Sequence, residues 1–171
     1  DFIKPVTYPV GGKDFHLEDF LRVTYTGGNG EQIPLVYGTD YEFASTPTVN
    51  IGENHVTIQP AKKADENGNL VPVTWMRGSK DIEYNMTASM DGATINVEKE
   101  YPYAHGVPVL KPEDIKVTLD GVELNKNDYT IKIEGDATNV GTHKVIVTGN
   151  GTKFSGTIEQ TFRIVPYHLE D

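Results

Sequence analysis

Gly38-Thr39-Asp40-Tyr41-Glu42-Phe43, followed by Asn50-Ile51-Gly52 and then Val56-Thr57-Ile58, returns later in the chain. The second occurrence reads Lys126-Asn127-Asp128-Tyr129-Thr130-Ile131, then Asn139-Val140-Gly141, then Val145-Ile146-Val147. The order is kept and the offset is roughly 90 residues, which marks an internal duplication. Each matched piece has a structural cause. Asp can bond its own turn backbone and Tyr opens an inward alternation, so Asp-Tyr starts a strand. Asn-x-Gly is a turn, because Asn and Gly tolerate positive φ. The Val-x-Ile and Val-x-Val runs alternate as half-buried antiparallel strands do.

The duplication extends in both directions. Leu17-Glu18-Asp19-Phe20-Leu21-Arg22-Val23-Thr24 is matched by Lys111-Pro112-Glu113-Asp114-Ile115-Lys116-Val117-Thr118, and Ile82-Glu83-Tyr84 more loosely by Gln160-Thr161-Phe162-Arg163-Ile164. The first copy is assigned to residues 1–89 and the second to residues 90–171, with the turn-like Met90-Asp91-Gly92-Ala93 as a junction too short for a flexible linker. The first copy carries two polar insertions that belong on loops: Gly27-Gly28-Asn29-Gly30, and Ala61 to Val71. In the second copy, strands are expected at Thr94 to Val97, Ile115 to Leu119, Tyr129 to Glu134, His143 to Thr148 and Gly156 to Val165. Asp120-Gly121 turns a hairpin into Val122-Glu123-Leu124. No stretch has sustained helical periodicity; Leu17 to Phe20 is long enough for one turn. Many short strands with turn signals between them specify an all-β sandwich or barrel.

Bulk composition narrows the function classes. The 15 Lys plus Arg face 25 Asp plus Glu, a formal charge of −10, so the long-range field repels phosphate backbones and anionic membranes and nucleic acid is a poor partner. There is no cysteine, so the fold must rest on its core without disulfide staples, a habit of bacterial surface proteins. No apolar run approaches the ~18 residues of a membrane span, and membrane insertion is not expected.

Val122 to Ile131, then Asn139-Val140-Gly141-Thr142-His143-Lys144-Val145-Ile146-Val147-Thr148-Gly149, then Phe154-Ser155-Gly156-Thr157 and Thr161-Phe162-Arg163-Ile164, resemble the Ig-like repeats strung along large bacterial surface proteins. The second copy matches that pattern throughout; the first matches at Asp40-Tyr41 and Asn50-Ile51-Gly52 and departs at its insertions and its ending. The resemblance implies two tandem immunoglobulin-like β-sandwich domains. It also implies an extracellular location, at the bacterial cell surface or secreted, and a non-catalytic role as stalk, spacer or adhesion module. The alternative is a pair of carbohydrate-binding modules in a polysaccharide-binding or polysaccharide-degrading system. Expected partners are host or polysaccharide glycans, or neighbouring domains of the same surface protein, with the chain itself a monomer.

Chemistry-bearing motifs are sparse. No G-x-S-x-G, H-E-x-x-H, P-loop or dinucleotide fingerprint occurs, so no catalytic residue, cofactor or metal ligand is assigned and no enzyme activity is expected. The five histidines, His16, His55, His105, His143 and His168, read as single exposed imidazoles. Asp65-Glu66-Asn67-Gly68-Asn69 places oxygens at alternate positions but fails the EF-hand template, and reads as a polar hairpin tip. The residues that suit glycan stacking are Trp75, the one tryptophan, with Tyr101 and Tyr103. Against this, Trp75 aligns near Phe154 and so is expected to pack the core or its boundary, and Tyr101-Pro102-Tyr103 suits an edge strand.

Overall fold

The structure is a computed structural model and describes residues 1–169. It is an all-β, sandwich-like protein. Helix among the described residues is confined to short 3-10 turns, the first of them at Leu17–Phe20. None of its helices is long and apolar enough to cross a membrane. The chain divides into two compact units, one made of Asp1–Tyr8 and Asp14–Thr87, the other of Pro9–Lys13 and the chain from Ala88 onward.

The first unit contains β1 (Val6–Thr7), β2 (Thr24–Thr26), β3 (Gln32–Pro34), β4 (Tyr41–Phe43), β5 (Gly52–Pro60), β6 (Lys62–Ala64), β7 (Leu70–Pro72) and the greater part of β8 (Lys80–Ser89). Its main sheet has the order β1-β8-β5-β4. β5 and β8 are antiparallel with Gly52 opposite Met86 and Ile58 opposite Lys80, whereas β1 runs parallel to β8 with Val6 opposite Met86. Alternation decides which face is inside: Asn54 and Val56 on β5 and Tyr84 and Met86 on β8 are buried, while Glu53, His55, Glu83 and Asn85 between them face solvent. The buried face gathers Val6, Leu17, Val56, Tyr84 and Met86, with Phe15, Phe20, Phe43 and Ile82 packed against them. Outside this sheet lie the β2–β3 hairpin and the isolated Phe2–Leu21 bridge, beside which the Ile3 N–H donates to the Phe20 carbonyl.

The Ala61 to Val71 insertion, assigned to loops with Asp65 to Asn69 read as a polar hairpin tip, forms a second hairpin around that tip, with Lys62 opposite Pro72 and Ala64 opposite Leu70. The cause is its tip. Asp65 Oδ1 accepts from the N–H groups of Asn67 (2.9 Å) and Asn69 (2.8 Å), and this tight turn brings the flanking chains into pairing distance.

The second unit contains β9 (Ala93–Asn96), β10 (Glu100–Pro102), β11 (Lys116–Leu119), β12 (Val122–Glu123), β13 (Tyr129–Glu134), β14 (Gly141–Gly149), β15 (Phe154–Ser155) and β16 (Thr157–Val165). One sheet has the order β10-β16-β14-β13 and another the order β12-β11-β9. β15 pairs in parallel with Ala88 and Ser89. The core is lined by Ile115, Val117, Leu119, Tyr129, Val145, Val147, Phe154, Phe162 and Ile164, all buried. At the β11–β12 turn Asp120 and Gly121 both take positive φ (49° and 79°), the primed geometry that matches strand twist, and both Asp120 carboxylate oxygens accept from the Gly11 N–H at 3.2 Å.

The main sheets of the two units share one strand order, and the duplicated sequence falls in the same register in each. Tyr41 faces Pro60 as Tyr129 faces Gly149; Asn54 faces Tyr84 as His143 faces Phe162; Val6 faces Met86 in parallel as Tyr101 faces Ile164.

Candidate functional site

In the first unit the chain leaves β7 at Pro72, buries Val73, whose N–H donates to the Ala61 carbonyl at 2.9 Å, and then turns at Trp75. Because Val73 fills the buried place after the inserted hairpin, Trp75 is carried outward. It is 52% exposed, which corrects its assignment to the aromatic core position; in the second unit that place is held by Phe154, which is buried. The indole lies 6.1 Å from the ring of Tyr25, centroid to centroid, tilted by 49°, and Tyr25 is itself 44% exposed. Tyr25 is the middle residue of β2 and sits opposite Ile33, so strand alternation fixes the direction of its ring. Thr74 and Met76, on either side of Trp75 in the chain, line a groove of about 330 Å³ together with Gln59, Lys62, Pro72 and Arg77. The groove combines an apolar floor with amide, ammonium and guanidinium donors, and the Trp75–Tyr25 ring pair stands exposed outside its lining.

The two tyrosines lie in the second unit and differ from each other. Tyr101 is tied into the fold: its ring meets Phe162 edge-on at 5.8 Å, and its hydroxyl accepts from the Glu98 N–H at 2.9 Å. Tyr103 donates its N–H to the Val165 carbonyl at 3.0 Å and starts a row of rings, with His105 at 5.6 Å and Tyr167 a further 5.6 Å beyond. His105 belongs to the Tyr101 to His105 stretch that the sequence offers as an aromatic surface and sits in a turn at φ 53°, whereas Tyr167 follows the last strand and no spacing rule would have found it.

The titratable groups with displaced pKa values have structural causes. Burial raises the hydroxyls of Tyr41, Tyr84 and Tyr129 above their ordinary value of 10.0. Asp136 is lowered to about 2 because its carboxylate accepts the backbone N–H groups of Thr138 and Asn139. Asp65 Oδ1 likewise closes its own turn, accepting the N–H groups of Asn67 and Asn69. Both carboxylates close loops.

No protein-family model matches the chain, and comparison with curated proteins likewise gives no match.

Proposed function

We propose that this chain is a pair of tandem Ig-like β-sandwich domains from a bacterial cell-surface or secreted protein, acting without catalysis as a spacer and adhesion module. The observation that carries this reading is the parallel pairing in each unit between an early strand and the last one. β1 pairs in parallel with β8, and β10 with β16 through Glu100–Arg163, Tyr101–Ile164 and Pro102–Val165. When a unit is pulled by its two ends, such a pair is loaded in shear. Its hydrogen bonds then share the force at one moment instead of opening one after another as in a peeled hairpin. A module that holds another domain away from a cell under flow needs this resistance.

Single-molecule stretching tests it. Unfolding is expected in discrete high-force events, and Tyr103→Pro, which removes the N–H bonded to the Val165 carbonyl, is expected to lower the force for the second unit well below that of Tyr103→Ala, which keeps the N–H. Unfolding at the low force of hairpin unzipping, or equal forces for the two variants, would overturn the load-bearing role.

The exposed Trp75–Tyr25 ring pair specifically favours a second reading, glycan binding. On that reading insoluble polysaccharide retains the protein, and Trp75→Ala weakens retention by about tenfold or more, the usual range for an aromatic anchor. Retention undiminished in Trp75→Ala, or no retention of the unaltered chain by any polysaccharide tried, would remove this reading and leave the spacer role intact.

A further inference from the structure

On the solvent face of the first unit's main sheet, Glu53 and His55 are two residues apart on β5 and therefore point the same way, and Glu83 of β8 stands directly opposite His55 in the register. Three side chains thus converge on one spot. His55 Nε2 is 3.0 Å from Glu53 Oε1 and His55 Nδ1 is 3.8 Å from Glu83 Oε1, and one donor atom from each of the three residues can be chosen so that all lie within 4.8 Å of one another. Beside the imidazole is a concavity of about 270 Å³ lined by Ser45, Thr57 and Asp81, which adds hydroxyl and carboxylate oxygens at its edge.

We propose that Glu53, His55 and Glu83 form a surface binding site for a divalent transition-metal cation of the zinc class. One imidazole nitrogen and two carboxylate oxygens are a donor set that suits Zn²⁺, which binds such atoms at ~2.0–2.2 Å. In the structure the two glutamates meet different nitrogens of the ring, and the exposure of all three side chains leaves them free to turn one nitrogen and two oxygens onto a shared ion. Electrostatics favours the same outcome. Two carboxylates stand on either side of the imidazole, and a divalent cation held between them replaces their mutual repulsion with two attractions. Of the other acids on this face, Asp81 is engaged by the Thr57 hydroxyl at 2.6 Å and is left to the outer shell, and Glu42 is engaged by the Gln59 amide at 2.8 Å. Since Glu53 and His55 belong to β5 and Glu83 to β8, the ion would pin the two central strands of the sheet across their ladder.

The sequence alone conceals this site, because its histidine has no ligand at the i+3 or i+4 spacing of a helical metal motif. Only the register places Glu83 beside His55.

Isothermal titration of the whole chain with ZnCl₂ tests the proposal, with the histidine ring resonances followed in parallel by NMR. One Zn²⁺ per chain is expected, with the His55 ring signals moving most. His55→Ala, Glu53→Gln and Glu83→Gln should each weaken binding by about tenfold or more, since loss of even an outer-shell partner costs that much. His16→Ala, which touches the separate His16–Glu18 pair, should leave affinity unchanged. All four positions carry exposed side chains, and circular dichroism verifies that each variant folds. Absence of binding up to millimolar Zn²⁺, or binding that survives His55→Ala and both glutamine variants, would overturn the site. Neither result touches the spacer reading, which makes no use of these residues.

Discussion

Phe162→Ala is expected to cost about 3–5 kcal/mol, the range for removing a large buried aromatic side chain. Phe162 is 1% exposed and sits where three strands meet. On one side the ring of Tyr101 on β10 meets it edge-on at 5.8 Å; on the other the imidazole of His143 on β14 stacks at 5.4 Å with an interplanar angle of 23°. Truncation therefore leaves a cavity and also strips two ring partners of their contacts, each aromatic pair being worth about 0.5–1.5 kcal/mol beyond burial. Domains of this size have about 5–15 kcal/mol in total, so the second unit would be left near its threshold. Urea unfolding followed by far-UV circular dichroism should show a large fall in midpoint for Phe162→Ala and a smaller one for Phe162→Leu, which restores most of the volume. A loss below about 1 kcal/mol for the alanine variant would contradict the burial from which the effect is argued.

What could be read in advance follows from which interactions are local. Alternation is local, so β13, β14 and β16 lie where Tyr129 to Glu134, His143 to Thr148 and Gly156 to Val165 place them, and the primed turn at Asp120-Gly121 carries its own signature. Trp75 was not legible. The alignment with Phe154 placed it at the core or its boundary, whereas after the inserted hairpin it is Val73 that is buried and Trp75 lies in the turn that follows, exposed to solvent. The tyrosines separate for a similar reason. Tyr101 and Tyr103 are equivalent on paper, yet Tyr101 faces Ile164 in the ladder and reaches Phe162, while Tyr103 lies beyond the end of β10 and meets His105. His55 shows the limit most plainly, since its neighbour Glu83 is set by strand register across many intervening residues. Register is a property of the whole sheet and leaves no trace in spacing.

The Asn-x-Gly turns supply the last expectation, since each has a clamp four residues on that the sequence did not advertise. In the first unit Asn54 is 2% exposed, although its type is rarely buried. Its amide is fully used. Nδ2 donates to the carbonyls of Asn50 (2.7 Å) and Gly52 (3.0 Å), while Oδ1 accepts from the Thr48 hydroxyl (2.8 Å) and the Asn50 N–H (3.1 Å). In the second unit His143 takes the same register position and donates Nε2 to the Asn139 carbonyl at 2.7 Å. Asn54→Leu is near in volume and apolar, yet it removes all four bonds, of which the one to the Gly52 carbonyl is buried and the others reach the exposed residues Thr48 and Asn50. A buried unsatisfied group costs about 1–3 kcal/mol, and a net loss in that range is expected. Asn54→His copies the solution of the second unit, restoring the bond to the Asn50 carbonyl, and should retain part of that stability despite its greater bulk. The ranking is therefore wild type, then histidine, then leucine, read from urea midpoints at constant m-value. Leucine equal to wild type would mean that the turn is held by its backbone alone and that the buried amide adds nothing.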